Sequence, residues 1–108
     1  MAVRDLTERV ERLEAFEERC GIRLDAVSAL LDDSLGWITV RGEVHPLSGT
    51  ELTGDVNLVA VGYDRMGRVV ADSAAYLSAE TFYGFDTFAL VLMGEGLDIA
   101  LIRLYPKG

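Results

Sequence analysis

The sequence predicts a mainly β protein, an antiparallel β-sandwich preceded by one N-terminal amphipathic α-helix. Two contrasting compositions predict this class. Residues 1–20 are rich in Glu, Arg, Leu and Ala and contain neither Gly nor Pro, which is typical of a helix. Residues 21–108 alternate β-branched or aromatic residues with polar ones, with Gly at intervals. Six or seven short strands with regular turn residues between them indicate a sandwich or a barrel, and we favour a sandwich.

Length, charge and cysteine content limit the classes of function. The 108 residues fit one domain with a single core. The formal net charge of −8 argues against binding to nucleic acid or to an anionic membrane, because both need clustered Lys and Arg. The single cysteine excludes an intrachain disulfide framework. The first residues are charged, and no stretch has the ~18 apolar residues of a membrane span, so we expect a cytoplasmic protein.

An apolar stripe with heptad spacing runs along the predicted helix. Its members are Val3, Leu6, Val10, Leu13 and Cys20. Valine at one seam position and leucine at the other favour a parallel, two-stranded coiled coil. Gly21 is the expected end of the helix, because glycine readily adopts the left-handed conformation found there. The stripe therefore predicts a homo-oligomer, with a dimer favoured.

The alternative is that this helix packs on its own sheet. Glu17 interrupts the stripe, which is shorter than the three or four heptads that identify a coiled coil. Phe16 widens the apolar face, as in a helix that lies on a sheet. An isolated helix of this length is marginally stable, so it must pack against something. The sequence leaves both arrangements open.

Six strands are predicted after the helix, at 22–31, 37–44, 55–63, 68–76, 82–92 and 98–105. The first of these could also be partly helical. Residues 64–67 predict a hairpin turn in which Gly67 supplies a positive φ, and 94–96 predict the last turn. Pro46 and Pro106 are expected to end strands, because proline cannot continue a central ladder.

Several predicted strands are apolar on both faces, at 58–61, 88–93 and 99–102. A sandwich buries only one face of each sheet, so clean alternation with polar residues is expected. Apolar residues on the second face require a cover, which could be the helix, a second protomer or a target protein. The alternative is that these strands lie centrally and are shielded by loops.

Three short motifs carry a family resemblance. They are Val-Arg-Gly-Glu-Val at 40–44, Tyr-Asp-Arg-Met-Gly-Arg-Val-Val at 63–70 and Phe-Ala-Leu at 88–90. In this order they resemble the FxLYD-type domains, bacterial immunoglobulin-like domains, over residues 22–106. The resemblance implies an immunoglobulin-like sandwich that acts as a binding or structural module without catalytic residues. Members of the family commonly follow a lipoprotein signal or membrane anchor, whereas this chain has a charged segment in that place.

No catalytic, cofactor-binding or metal-binding constellation is predicted. His45 is the only histidine, so one chain cannot assemble a histidine pair, and we expect it at the surface beside a strand end. Cys20 has no basic cluster near it in sequence and is expected to pack as a small apolar group. The aspartates lack the spacing of an EF-hand loop and are expected in turns and at edges. We therefore expect a protein that is not an enzyme.

The leading functional hypothesis is a self-associating module for protein–protein interaction or assembly. It comprises a coiled-coil-like helix at 1–20 and a β-sandwich at 21–108. Its partner is a second copy and possibly another protein. The residues expected to make contacts are Val10 and Leu13 on the helix and Leu58, Val91 and Met93 on an outer sheet face. The alternative is a small apolar ligand bound in a pocket between the sheets or under the helix.

Overall fold

A computed structural model describes residues 3–93 and 98–108, and this part of the chain is mainly β. The predicted turn at 94–96 lies outside the described residues. In chain order the elements are β1 (Val3–Asp5), a 3₁₀ turn (Thr7–Arg9), β2 (Val10–Arg12), α1 (Glu14–Cys20), β3 (Ile22–Asp32), β4 (Trp37–Pro46), β5 (Val56–Tyr63), β6 (Val69–Leu77), β7 (Asp86–Met93) and β8 (Leu101–Lys107). No helix within these ranges is long and apolar enough to cross a membrane.

The strands form two four-stranded sheets that enclose the core. Sheet A has the order β1-β3-β4-β7, and sheet B has the order β2-β8-β5-β6. Within the described ranges all ladders are antiparallel except that of β2 with β8. The largest fully buried side chains come from both sheets and include Ile22, Leu24, Ile38, Leu58, Leu92 and Ile102. The predicted mainly β class is confirmed, and the two four-stranded sheets are consistent with a sandwich.

The order of the strands differs from that of an immunoglobulin constant domain. In that domain the second and third strands lie in opposite sheets. If β1 and β2 count together as the first strand, the corresponding strands here are β3 and β4. These two strands are antiparallel neighbours in sheet A. The immunoglobulin-like arrangement is therefore not confirmed.

The six predicted strands all form, as β3 to β8. The predicted hairpin turn joins β5 to β6, and Gly67 has a φ of 78° there. The side chain of Asp64 accepts hydrogen bonds from the backbone N–H groups of Met66 and Arg68, both at 2.9 Å. β4 ends at Pro46 as expected, whereas β8 continues through Pro106 to Lys107.

The N-terminal segment departs most from the predicted structure. A helix over residues 1–20 is wrong, because α1 has only seven residues and is too short for a coiled coil. Ahead of α1, β1 pairs with β3 in sheet A, and β2 pairs with β8 in sheet B. Leu6 lies between these two strands and is 6% exposed in the core. The segment thus packs on its own sandwich.

Open sheet edges explain why this segment forms strands. A helix of this length gains little stability alone, whereas pairing with an edge satisfies backbone groups on both partners. The N–H of Leu6 donates to the carbonyl of Ala29 at 2.7 Å, and the N–H of Ala29 donates to Thr7 Oγ1 at 3.1 Å. Within the heptad stripe, Val3 belongs to β1 in sheet A, and Val10 belongs to β2 in sheet B.

Side chains from the end of β2 and from α1 cover another part of the β3 edge. Glu17 is 3% exposed, and its Oε1 accepts the N–H of Leu24 at 3.1 Å. Arg12 donates from Nη1 to the Leu24 carbonyl at 3.0 Å, and its Nε lies 3.3 Å from Glu17 Oε2. That last contact is an ion pair without hydrogen-bond geometry. Together the two side chains satisfy the groups of Leu24 as a neighbouring strand would.

A carboxylate ties the start of β5 to the end of β6. The Tyr76 hydroxyl donates to Asp55 Oδ2 at 2.6 Å, and the N–H of Ala79 donates to Asp55 Oδ1 at 2.8 Å. These two hydrogen bonds hold the pKa of Asp55 below its usual value, and the bond from Tyr76 has the larger effect. These bonds favour the ionised carboxylate and so add stability only while Asp55 is charged.

We predict that Glu17→Ala lowers the free energy of unfolding by about 2–3 kcal/mol, because it leaves the Leu24 N–H without its acceptor and removes the buried ion-pair partner of Arg12, so that the exposed Glu14 remains. Urea unfolding measures the change. The matched control is Glu18→Ala, since Glu18 is the next residue on the helix and is exposed. Its effect should stay within about 0.5 kcal/mol. Equal losses in both variants would contradict the edge-covering role of Glu17.

We also predict that acid destabilises the native chain partly through Asp55. Its native pKa lies below the ordinary value of 3.8, so the unfolded chain binds this proton more tightly. The stabilisation is therefore complete above that ordinary value and is lost as the pH falls through and below it. In Asp55→Asn the acid-induced fall in melting temperature should be smaller than in the wild type. Asp72→Asn, at an exposed site on β6, should keep the wild-type profile.

Candidate interaction surface

Apolar side chains form a strip on the outer face of sheet A. The register places Trp37 directly opposite Met93, and Thr39 opposite both Leu30 and Val91. Directly opposite residues present their side chains on the same face, so these side chains are neighbours across three strands. Met93 is 57% exposed and Trp37 is 40% exposed. Val3 lies opposite Asp32, which in turn lies opposite Trp37, so it belongs to the same row. We call this set the outer strip, and its members are Val3, Leu30, Trp37, Val91 and Met93.

Strand β7 is the edge of sheet A on the side of Val91 and Met93. Among the described strands it pairs only with β4, through an unbroken register from Trp37–Met93 to Val44–Asp86. Its sequence, Asp-Thr-Phe-Ala-Leu-Val-Leu-Met, contains no Lys, Arg or Pro. Proteins protect edge strands with basic residues, proline, bulges or short length. β7 has eight residues and none of these protections.

The other sheet edges are better protected. On the opposite side of the sandwich the edges are β1 and β2, and each has only three residues. Short edge strands offer few backbone groups to another chain. On the same side as β7, the edge of sheet B is β6, which carries Asp72 in its middle. In the part of the molecule that the structure describes, β7 is therefore the edge with the least protection in its own sequence, and it lies beside β6 of the other sheet.

The two residues expected on the helix contact their own chain. Val10 lies in β2, partly buried against the core. Leu13 immediately precedes α1, is half-buried, and donates its N–H to the carbonyl of Leu104 at 3.2 Å. They contribute to the packing of the N-terminal segment on its own sandwich, and they form no coiled-coil seam.

The three residues expected on a sheet face are divided between the core and the surface. Leu58 is wrong as an outer contact residue, because it is fully buried within β5, where it lies opposite Pro106. Val91 and Met93 lie on the outer face of β7, half-buried and exposed respectively. Only these two belong to a surface that another chain can reach.

The single cysteine and histidine have local partners. Cys20 is half-buried at the end of α1 and packs against the core. His45 is half-buried on β4, with Nε2 located 3.0 Å from Glu43 Oε1.

Phe16 packs edge-on against Tyr105, with ring centroids 5.4 Å apart. The aromatic face of α1 thus rests on β8.

Hollows occur at both places considered for a small apolar ligand. One of about 340 Å³ lies at an end of the sandwich, and its lining includes Arg4, Arg9 and Arg65. Another, of about 330 Å³, lies beside α1 and is lined largely by Arg19 and residues 53–55. The first hollow also has five apolar lining residues, but these three arginines and Asp98 interrupt the hydrophobic lining that a small apolar ligand needs. In the second hollow the hydrophobic side chains of the lining are those of Cys20 and Val56.

Part of the outer strip was not identified from the sequence. Leu30 and Trp37 belong to it because of the registers that join β3, β4 and β7. Alternation along a strand shows which residues share a face, but it does not show which strands are neighbours. The apolar outer positions of β7 were the only available indication.

Comparisons with known proteins do not assign a function to this surface. No family model, no curated protein and no solved structure matches the chain.

Proposed function

We propose that this protein is a non-enzymatic, self-associating interaction module in which β7 pairs with β7 of a second copy. The observation that carries the proposal is the open edge of β7, which is eight residues long, unbulged, and free of Lys, Arg and Pro. An open edge of this kind recruits another strand through backbone hydrogen bonds. The same strand in a second copy offers matching groups.

A twofold axis through the middle of β7 pairs the two strands antiparallel. Surfaces related in this way are complementary to themselves. With the axis at Leu90, Val91 of each copy lies opposite Ala89 of the other, and Met93 lies opposite Thr87. The four-stranded sheet A of each copy then forms half of one continuous eight-stranded sheet. The apolar outer positions of β7 acquire neighbours from the second copy.

The charge distribution favours this antiparallel arrangement. At a net charge of −8 the chains repel one another, so a joint between copies must avoid opposing acids. The only charged residue of β7 is Asp86, at its first position. Antiparallel pairing separates the two copies of Asp86 by more than about 20 Å, well beyond the Debye length of ~8 Å. Parallel pairing would place them side by side.

The remaining expectations agree with this role and stay predictions. The resemblance to FxLYD-type domains implies a binding or structural module. A protein without enzymatic activity and a cytoplasmic location are also predictions. A different protein with a free apolar strand is the competing occupant of the edge, and the behaviour of the purified chain distinguishes it from a second copy.

We predict that the purified chain forms a dimer in sedimentation velocity and that Ala89→Lys dissociates it. Ala89 is exposed on β7 opposite Arg41, so a lysine has room in the monomer and lies beside one other cation there. In the dimer the substitution places two ammonium groups near the centre of the joint. Juxtaposed like charges cost several kcal/mol, so the dimer should weaken by at least about tenfold.

The matched control is Ala74→Lys, because Ala74 is exposed on β6, the edge strand of the other sheet on the same side. This variant should remain dimeric, and both variants should keep the wild-type circular dichroism spectrum. Dissociation by Ala74→Lys alone would assign the joint to β6 and overturn the proposal. A wild-type chain that stays monomeric at high concentration would also overturn it.

A further inference from the structure

Three metal-ligating side chains meet on the outer face of sheet A, away from the outer strip. Asp25 on β3 lies directly opposite Glu43 on β4. His45 follows Glu43 by two residues and therefore presents its ring on the same face. One ligand atom from each of the three residues lies within 4.8 Å of the other two.

We propose that Asp25, Glu43 and His45 bind a divalent transition-metal ion of the zinc type. Zinc takes imidazole nitrogen and carboxylate oxygen as ligands, and three protein ligands leave its fourth position open to water or to an incoming ligand. Calcium and magnesium prefer ligand sets made of oxygen alone. The imidazole is therefore the group that selects a transition metal here.

The ring of His45 is held in place by its surroundings. It stacks on Phe85, with ring centroids 5.4 Å apart and an interplanar angle of 12°. Its Nε2 lies 3.0 Å from Glu43 Oε1. Because Phe85 covers one face of the imidazole, Nε2 is kept beside the carboxylate. Ligands restrained in this way lose less conformational freedom when an ion binds.

The surrounding backbone leaves room next to the cluster. A hollow of about 440 Å³ is lined by Glu43 and also by Thr87 and Ala89 of β7. It gives water or another ligand atom access to the Glu43 side of the cluster. Gly42 allows the strands to approach closely here, since a Cβ at that position would lie 3.0 Å from the Asp25 carbonyl oxygen and 2.8 Å from the Phe88 ring.

Neighbouring charges make the imidazole necessary. The two carboxylates can balance the charge of a divalent ion. However, Arg23 lies opposite His45 in the register, and Arg41 precedes Glu43 by two residues on the same face. These guanidinium groups reduce the negative potential that would otherwise attract any cation. Binding should therefore depend on ligation by His45 and not on negative charge alone.

The first experiment is calorimetric titration of the untagged, chelator-treated chain with zinc chloride. The second is titration of a separate metal-free sample with cobalt chloride, with visible absorption as the readout. We expect one ion per chain, a higher melting temperature with zinc, and cobalt d–d bands that intensify on binding. His45→Ala should abolish the heat of zinc binding, the rise in melting temperature and the intensified cobalt bands. Asp25→Asn should weaken zinc binding by at least about tenfold, because even the loss of a hydrogen-bond partner of a metal ligand costs about that much.

Two control variants test the alternatives. Asp72→Asn removes an exposed carboxylate on the other sheet, and Cys20→Ser removes the only thiol, and both should bind zinc as the wild type does. A loss with Cys20→Ser would assign the ion to the thiolate and overturn the proposal. Zinc binding that survives His45→Ala, or calcium binding of equal strength, would reduce the cluster to a patch of surface acids and would also overturn it.

Discussion

The fold depends on how the outer edge of β3 is covered. That edge presents backbone groups that must find partners once β3 pairs with β4 on its other side. β1 supplies a short ladder, and Leu6 and Thr7 satisfy Ala29. Further along, Arg12 and Glu17 take the place of a strand with their side chains. The N-terminal segment thus completes the edge with a short ladder, with hydrogen bonds to Ala29 and with side chains. The same segment also pairs β2 with β8 in sheet B.

This arrangement explains a charge that interrupts an otherwise apolar stripe. A buried carboxylate is costly unless it is ion-paired and hydrogen-bonded. Glu17 is tolerated in the interior because a backbone N–H and a guanidinium meet it there. The residue that breaks the predicted coiled-coil seam is therefore the one that fixes α1 to β3. The two sides of the sandwich therefore differ. The N-terminal segment closes one side, and β6 and β7 are the edges of the other.

The strands that follow α1 could be predicted because short stretches of sequence define them. Alternation defines the inner and outer faces of β4, and the Asp64–Gly67 turn defines a hairpin without reference to the rest of the chain. The N-terminal segment was not predictable in this way. Its apolar spacing fits a helix, and only the presence of open edges on β3 and β8 makes strands the better solution. Local propensity is a weak guide where tertiary pairing is available.

The surface features show the same limit. Val91 and Met93 could be identified because β7 is apolar at successive outer positions. Leu58 was assigned to the wrong face, because a strand that is apolar at every position does not reveal which side is the core. The cluster of Asp25, Glu43 and His45 joins residues from two strands, so no single motif contains it. Register, which sequence spacing does not encode, brings these side chains together.

The position of β8 has a consequence for the order of folding. It is an interior strand of sheet B, between β2 and β5, although both partners are synthesised before it. Val10 pairs with Ile102, so the loop that this contact closes includes most of the molecule. Contacts between residues so distant in sequence slow folding, because chain entropy is lost before they form. During synthesis β2 and β5 must wait with open edges, and a nascent chain is most vulnerable to mispairing until β8 is inserted.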